Sequence, residues 1–155
     1  MAETYKLKYL RGTRLKVFLA AADRIIPPDT DSIGGGTLAT AAIVDLIVGQ
    51  IDPGLRKKVL MLFLIIETLG RFFGGKKFTK ASGKNQDRLL TWLERNKVST
   101  LRLGFFGIKT YMCMGYYTRE DIWKVMKYDG PIRYNQPYHD TMLRALAQNK
   151  VEITE

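Results

Sequence analysis

The chain has 155 residues, of which 46% are hydrophobic, and its formal net charge is +10 at pH 7. This length supports one domain with a true hydrophobic core, and we expect residues 1–155 to form a single helical domain. The charge requires that a polyanion or an acidic protein be considered as partner. A single cysteine, Cys113, and a single histidine, His139, exclude an internal disulfide and most zinc, haem and iron–sulfur sites.

Hydrophobic periodicity predicts helices along most of the chain. In chain order these cover residues 13–25, 37 to about 49, about 55–73, a segment from 82 that includes 89–93, about 100–114, a short segment through 122–126, and 140–149. Thr37, Ser82 and Ser99 are the expected N-caps, and residues 118–121 have the spacing of a capping box. No strand pattern of convincing length occurs. We therefore predict an all-α, compact bundle of about six or seven helices.

The loop between the first two helices could hold a phosphate or a calcium ion, or could be a hinge. Gly34-Gly35-Gly36-Thr37 precedes a helix, which suits an anion, but no strand leads into it and no Lys-Ser or Lys-Thr follows. Asp29 and Asp31 begin a calcium-loop pattern, but Thr40 stands where a bidentate Glu is needed. The hinge is the preferred interpretation, because glycines allow two buried helices to reverse tightly.

Residues 59–66 form the most apolar stretch, but they number only eight, whereas a membrane span needs ~20. We expect most of these residues, and of the aromatic residues between 103 and 128, to be ordinary core. Together, however, they offer more apolar surface than a domain of this size readily covers. The irregular segment at about 128–139 is rich in tyrosine and arginine, the residue types enriched at interfaces. The predicted partner-binding residues are Tyr116, Tyr117, Trp123, Tyr128, Arg133, Tyr134 and Tyr138.

Two other functions stay open from the residues alone. Basic residues cluster at 6–16, 56–58, 76–84 and 95–109, which keeps a basic nucleic-acid-binding helical module as the alternative, although no recognition motif is present. A small enzyme using His139 beside Asp140 is the weakest hypothesis, because no nucleophile is marked by a motif. We expect Cys113 to be an ordinary buried residue, with a bridge to a partner chain as the other option.

A series of motifs resembles one known family. In chain order they are Ala22-Asp23-Arg24-Ile25-Ile26-Pro27, an acidic and glycine-rich loop, Ala41-Ala42-Ile43-Val44-Asp45-Leu46-Ile47, Phe78, Asp87-Arg88-Leu89-Leu90, Gly115-Tyr116-Tyr117-Thr118, Ile122-Trp123 and Tyr128-Asp129-Gly130-Pro131. Their order and spacing, over about residues 15–131, are similar to those of the gluconate 2-dehydrogenase subunit 3 family. Lys127 departs from that pattern, since the family usually has Gly at this position.

The resemblance implies a non-catalytic, chaperone-like small subunit that binds a large FAD-dependent dehydrogenase of the glucose–methanol–choline type. FAD and the catalytic residues would belong to that large subunit, and a cytochrome c subunit could accept the electrons. No catalytic, cofactor-binding or metal-binding residue is then expected in this chain. The family implies the periplasmic face of the inner membrane, reached only through the complex. Arg11 and Arg14 are not adjacent, so this sequence shows no twin-arginine signal. This favours the cytoplasm, export with the partner, or a signal that has been removed.

Overall fold

The structure is a computed structural model that describes residues 5–130 and 151–152, the latter pair as backbone only. Within these residues the chain forms six α-helices: α1 (Gly12–Ile25), α2 (Leu38–Gln50), α3 (Pro53–Gly74), α4 (Gly83–Glu94), α5 (Ser99–Tyr117) and α6 (Glu120–Val125). A 3-10 turn, Phe78–Lys80, lies between α3 and α4. The two-residue strands β1 (Tyr5–Lys6) and β2 (Val151–Glu152) pair in parallel. The predicted all-α bundle is confirmed.

The predicted N-caps of the second and fourth helices are confirmed. Thr37 Oγ1 accepts a hydrogen bond from the Thr40 amide at 3.2 Å, which satisfies one of the unpaired donors at the start of α2. Ser82 occupies the N-cap position of α4, although its side chain makes no capping hydrogen bond. Asp52 caps α3 by accepting from the Gly54 and Leu55 amides, and Pro53 starts that helix.

The predicted N-terminal caps of α5 and α6 are wrong. Ser99 lies inside the first turn of α5, and the N-cap is Val98, whose amide donates to Asn96 Oδ1 at 2.9 Å. Residues 118–121 do not form a capping box, because the Thr118 hydroxyl donates back to the Met114 carbonyl. Arg119 is the N-cap of α6 and makes no side-chain cap. Before α5 the Asn96 side chain accepts a hydrogen bond from the Val98 amide, and before α6 the Thr118 hydroxyl donates to the Met114 carbonyl. Sequence spacing alone does not reveal either hydrogen bond.

The core lies among α1, α2, α3, α4 and α5. α1 packs on α3 and α4, α2 packs on α5, and α3 also packs on α4. Phe18 of α1 and Phe63 of α3 meet at the centre with ring centroids 6.2 Å apart. α1, α3, α4 and α5 bury apolar residues at helical spacing, which is why the periodicity predicted them, whereas α2 is buried nearly all round.

α2 and α5 approach closely at Gly115. A Cβ at this position would lie 2.6 Å from Val44 Cγ2 and 3.0 Å from the Thr40 carbonyl oxygen. No side chain fits there, so Gly115 fixes the distance between these two helices. This contact orients the whole of α5 relative to the core.

The predicted irregular arm at about 128–139 is described only in part. Residues 128–130 adopt neither helix nor strand. Residues 131–139 and the predicted helix at 140–149 lie outside the described residues.

Candidate partner-binding surface

The outward face of α5 carries large apolar side chains. These are Leu103, Phe106, Met114 and Tyr117; Leu103 and Phe106 are each 65% exposed, and the other two are about half exposed. Their spacing of three, eight and three residues places them on one side of a helix with 3.6 residues per turn. The opposite side, which includes Phe105 and Ile108, is buried in the core. α5 is therefore apolar on two sides, of which the core needs only one.

A similar face runs along α3. Its exposed apolar side chains are Met61, Leu64 and Phe72, and Phe72 is 83% exposed. They are separated by three and eight residues, the same intervals as the first three exposed apolar residues of α5. The opposite side of α3 carries the buried Phe63. A second helix thus presents apolar residues to the outside.

The threonines within these two rows add little polarity. The Thr68 hydroxyl donates to the Leu64 carbonyl, and the Thr110 hydroxyl donates to the Phe106 carbonyl at 2.9 Å. Each hydroxyl therefore has a partner inside its own helix. An apolar surface can cover such a threonine without leaving its donor unpaired.

α3 and α5 are in contact with each other. A Cβ at Gly104 would lie only 3.1 Å from Leu62 Cδ2. Met61 and Leu103, one from each exposed row, are the sequence neighbours of these two residues. We call the two rows the α3–α5 apolar surface: Met61, Leu64, Phe72, Leu103, Phe106, Met114 and Tyr117. These seven large apolar side chains are exposed on two helices, so the α3–α5 apolar surface is the best candidate for binding another protein.

The residues predicted from the sequence divide between surface and interior. Tyr117 and Tyr128 are about half exposed, whereas Tyr116 and Trp123 are buried. The two buried rings support the exposed ones: the Tyr116 and Tyr117 rings are 5.1 Å apart, and the Trp123 and Tyr128 rings are 5.9 Å apart, both edge to face. Trp123 Nε1 also donates to the Tyr117 carbonyl. Arg133, Tyr134 and Tyr138 lie outside the described residues.

Arg119 fixes the turn that carries these aromatic residues. Its guanidinium is buried and donates through Nη1 to Thr37 Oγ1 at 2.8 Å and to Thr40 Oγ1 at 3.1 Å. Nε donates to Asp121 Oδ1 at 3.0 Å, and Cζ lies 5.8 Å from the centre of the Tyr116 ring. The turn between α5 and α6 is therefore held against the N-terminus of α2. The positions of Trp123 and Tyr128 follow from this anchor.

The loop that contains Gly34, Gly35 and Gly36 connects α1 to α2 and is held by hydrogen bonds within the chain. The Gly35 amide donates to the Ile26 carbonyl, the Gly36 amide to Asp23 Oδ1 at 2.9 Å, and the Thr37 amide to the Gly35 carbonyl. These amides are the donors that a phosphate would need, and a carboxylate already occupies the site. The loop therefore has the geometry of the expected hinge.

Asp45 is a structural residue whose role the sequence did not reveal. Its carboxylate is fully buried and accepts hydrogen bonds from the Lys8, Tyr9 and Leu10 amides at 2.6–2.7 Å. It also accepts from the Tyr5 hydroxyl at 2.8 Å. Burial raises the pKa of Tyr5, and the negative charge of Asp45 adds to this shift. One sequence feature could have indicated this role: Asp45 is the one charged residue of α2, a largely apolar helix. A buried carboxylate needs hydrogen-bond donors.

The described residues offer few features for chemistry or for a membrane span. They contain no group of three or more His, Cys, Asp or Glu side chains able to hold a metal ion. Among the helices of this part of the chain, each is too short or too polar to traverse a bilayer. Cys113 is half-buried and unpaired within the described part of the chain.

Comparison with protein families gives a match over most of the described chain. The model of gluconate 2-dehydrogenase subunit 3 matches residues 13–130. The matched segment starts at the second residue of α1 and ends at Gly130, so it covers the rest of α1 and the whole of α2 to α6. No curated protein and no solved structure matches the chain.

Proposed function

The chain belongs to the gluconate 2-dehydrogenase subunit 3 family, and on this premise we propose that it is a non-catalytic accessory subunit that binds and stabilises a large FAD-containing dehydrogenase subunit. Membership implies association with a gluconate dehydrogenase complex. The substrate of that complex is a sugar or an alcohol in this proposal. The contribution of the chain is a binding surface.

The α3–α5 apolar surface is the observation that carries the proposal. A stable hetero-complex commonly buries ~2,000 Å² or more. α3 has 22 residues and α5 has 19, so the helices that carry the exposed rows are about 33 and 28 Å long. Removing apolar surface from water contributes about 25 cal/mol per Å². Covering these two rows would therefore stabilise both chains.

The FAD belongs to the large subunit in this proposal. A flavin dinucleotide needs backbone amides for its pyrophosphate, often at a glycine-rich helix N-terminus. The Gly35, Gly36 and Thr37 amides are already used within the chain, and Asp23 places a negative charge beside them. We expect flavin absorbance to stay with the large subunit when the two chains are separated.

The test is co-purification of the chain with the large subunit after co-expression. Leu103→Asp and Phe106→Asp each place a charge in the middle of the α3–α5 apolar surface. Each is expected to weaken the complex by about 2 kcal/mol or more, because central apolar anchors dominate binding energy. Circular dichroism of each free variant should match the wild type, since both side chains are mostly exposed.

Ile33→Asp is the matched control. Ile33 is 54% exposed and lies in the loop between α1 and α2, so it is not part of the α3–α5 apolar surface. This variant should bind like the wild type. If Leu103→Asp and Phe106→Asp also bind like the wild type, the proposed function is wrong in its mechanism.

A further inference from the structure

A groove with a volume of about 1010 Å³ lies between the end of α3 and the outer side of α4. It is open to solvent, and two kinds of side chain line it. Four are cationic, namely Lys84, Arg88, Arg95 and Lys97, and two are aromatic, namely Phe73 and Trp92. The groove therefore combines positive charge with a flat apolar surface.

The four cations are not neutralised by the rest of the described chain. All four are exposed, and none has an ion-pair partner among residues 5–130. The one acidic residue in the groove, Asp87, is held by Arg24, whose Nε donates to Asp87 Oδ1 at 2.7 Å. Like charges in a concave space reinforce one another, so the groove attracts anions.

The aromatic side chains connect the groove to the α3–α5 apolar surface. The centroids of the Phe73 and Trp92 rings are 5.7 Å apart, and Trp92 is 41% exposed. Phe73 directly follows Phe72, the last residue of the exposed row on α3. A partner that covers Phe72 therefore lies next to Phe73, which lines the groove.

We propose that the groove binds an extended, acidic segment of the large subunit, rich in Asp and Glu and with an apolar residue against Trp92. This inference rests on the proposed function. A single-stranded nucleic acid would use the same cations and stack on Trp92, but it would leave the adjoining apolar surface uncovered. A protein partner covers both features at once.

The test uses the full chain and two labelled probes, an oligoglutamate peptide and an oligothymidylate. The double variant Arg88→Glu/Arg95→Glu is expected to weaken oligoglutamate binding by about tenfold or more, because two attractive pairs become repulsive. Lys16→Glu/Lys124→Glu changes the net charge equally at exposed positions outside the groove. This control should stay within about twofold of the wild type, because charges separated by more than a Debye length are screened.

Three outcomes would overturn the proposal. The first is no oligoglutamate binding by the wild type, and the second is equal weakening in both double variants. The third is oligothymidylate binding that is tighter than oligoglutamate binding at physiological salt and is lost in the groove variant, which would make the groove a nucleic-acid site.

A second measurement separates this inference from the proposed function. In the complex with the large subunit, Arg88→Glu/Arg95→Glu should lower the affinity and flatten its dependence on salt, while the complex still forms through α3 and α5. If the affinity and salt dependence equal those of the Lys16→Glu/Lys124→Glu control, the groove inference fails alone. If Leu103→Asp and Phe106→Asp both bind like the wild type, the proposed function is wrong in its mechanism, whatever the groove variants show.

Discussion

At the scale of single residues, Asp45 links two segments of the fold that are far apart in sequence. Its carboxylate is surrounded by three backbone amides and the Tyr5 hydroxyl, all within hydrogen-bond distance. Charge-assisted hydrogen bonds of this kind are stronger than neutral ones. They attach the segment before α1 to the middle of α2.

Asp45→Asn should destabilise the protein by about 3 kcal/mol, because an amide NH₂ would face backbone donors and leave some of them unpaired. Urea unfolding of the purified chain measures this change. Tyr5→Phe is the control, since it removes a single hydroxyl donor to Asp45 and should cost only about 1 kcal/mol. Equal stability of Asp45→Asn and the wild type would show that the buried carboxylate is not needed.

Gly36→Ala should destabilise the protein by about 2 kcal/mol, because overfilling a closely packed site forces its neighbours to shift. The added Cβ would lie 2.4 Å from Asp23 Cγ and 2.5 Å from the Leu19 carbonyl oxygen. In the control, Gly107→Ala, the Cβ meets nothing within 4 Å and lies inside α5. That change should stabilise the protein by about 0.5–1 kcal/mol. Thermal unfolding of both variants tests the pair, and the same sign for both would refute it.

At the scale of helices, one ion pair links α1 to α4. Arg24 forms two hydrogen bonds with Asp87, and these hold the pKa of Asp87 below its ordinary value. The pair is 38% and 45% exposed, so its contribution to stability is screened and below about 1 kcal/mol.

The sign of its pH dependence follows from the lowered pKa. The stabilisation is complete above about pH 3.9, the ordinary pKa of Asp, and is lost as pH falls through the lower folded-state value. Asp87→Asn should therefore be less stable than the wild type near neutral pH and equally stable at the acid end. Unfolding free energies of both proteins across this window measure the difference. The pKa of Asp29 is also lowered, so Asp29 contributes to the pH dependence as well. Both proteins keep Asp29, so its contribution cancels in the difference between their unfolding free energies.

Helix positions could be predicted from the sequence, but the direction of each helix face could not. Periodicity located α1 to α5 because each buries a row of apolar residues. α3 and α5 carry apolar residues on both sides, so the pattern does not show which side is inside. For the same reason, composition alone could not separate the exposed Tyr117 from the buried Tyr116 beside it. Hydrogen bonds over long sequence distances, such as Arg119 to Thr37, are also invisible to local patterns.

At the scale of the whole molecule, the α3–α5 apolar surface should make the isolated chain self-associate. Leu103→Ser and Phe106→Ser are expected to raise the monomer fraction, since they remove exposed apolar area without adding charge. Analytical ultracentrifugation over a range of protein concentrations measures this fraction. Phe105→Ser is the contrasting variant, because Phe105 is buried and its loss should unfold the chain. A wild-type chain that stays monomeric throughout would contradict the expectation.

The strand pair β1–β2 joins residues near the two ends of the chain, with Tyr5 opposite Val151. A ladder this short is not stable alone, and closing so long a loop costs entropy that grows as about (3/2)RT ln n. The two strands therefore pair only after the helices have packed, and the amides of residues 5–6 and 151–152 should exchange hydrogen with solvent before those of the core. Because these residues lie side by side, a short linker between them and a new start in a surface loop would give a circularly permuted form of this domain.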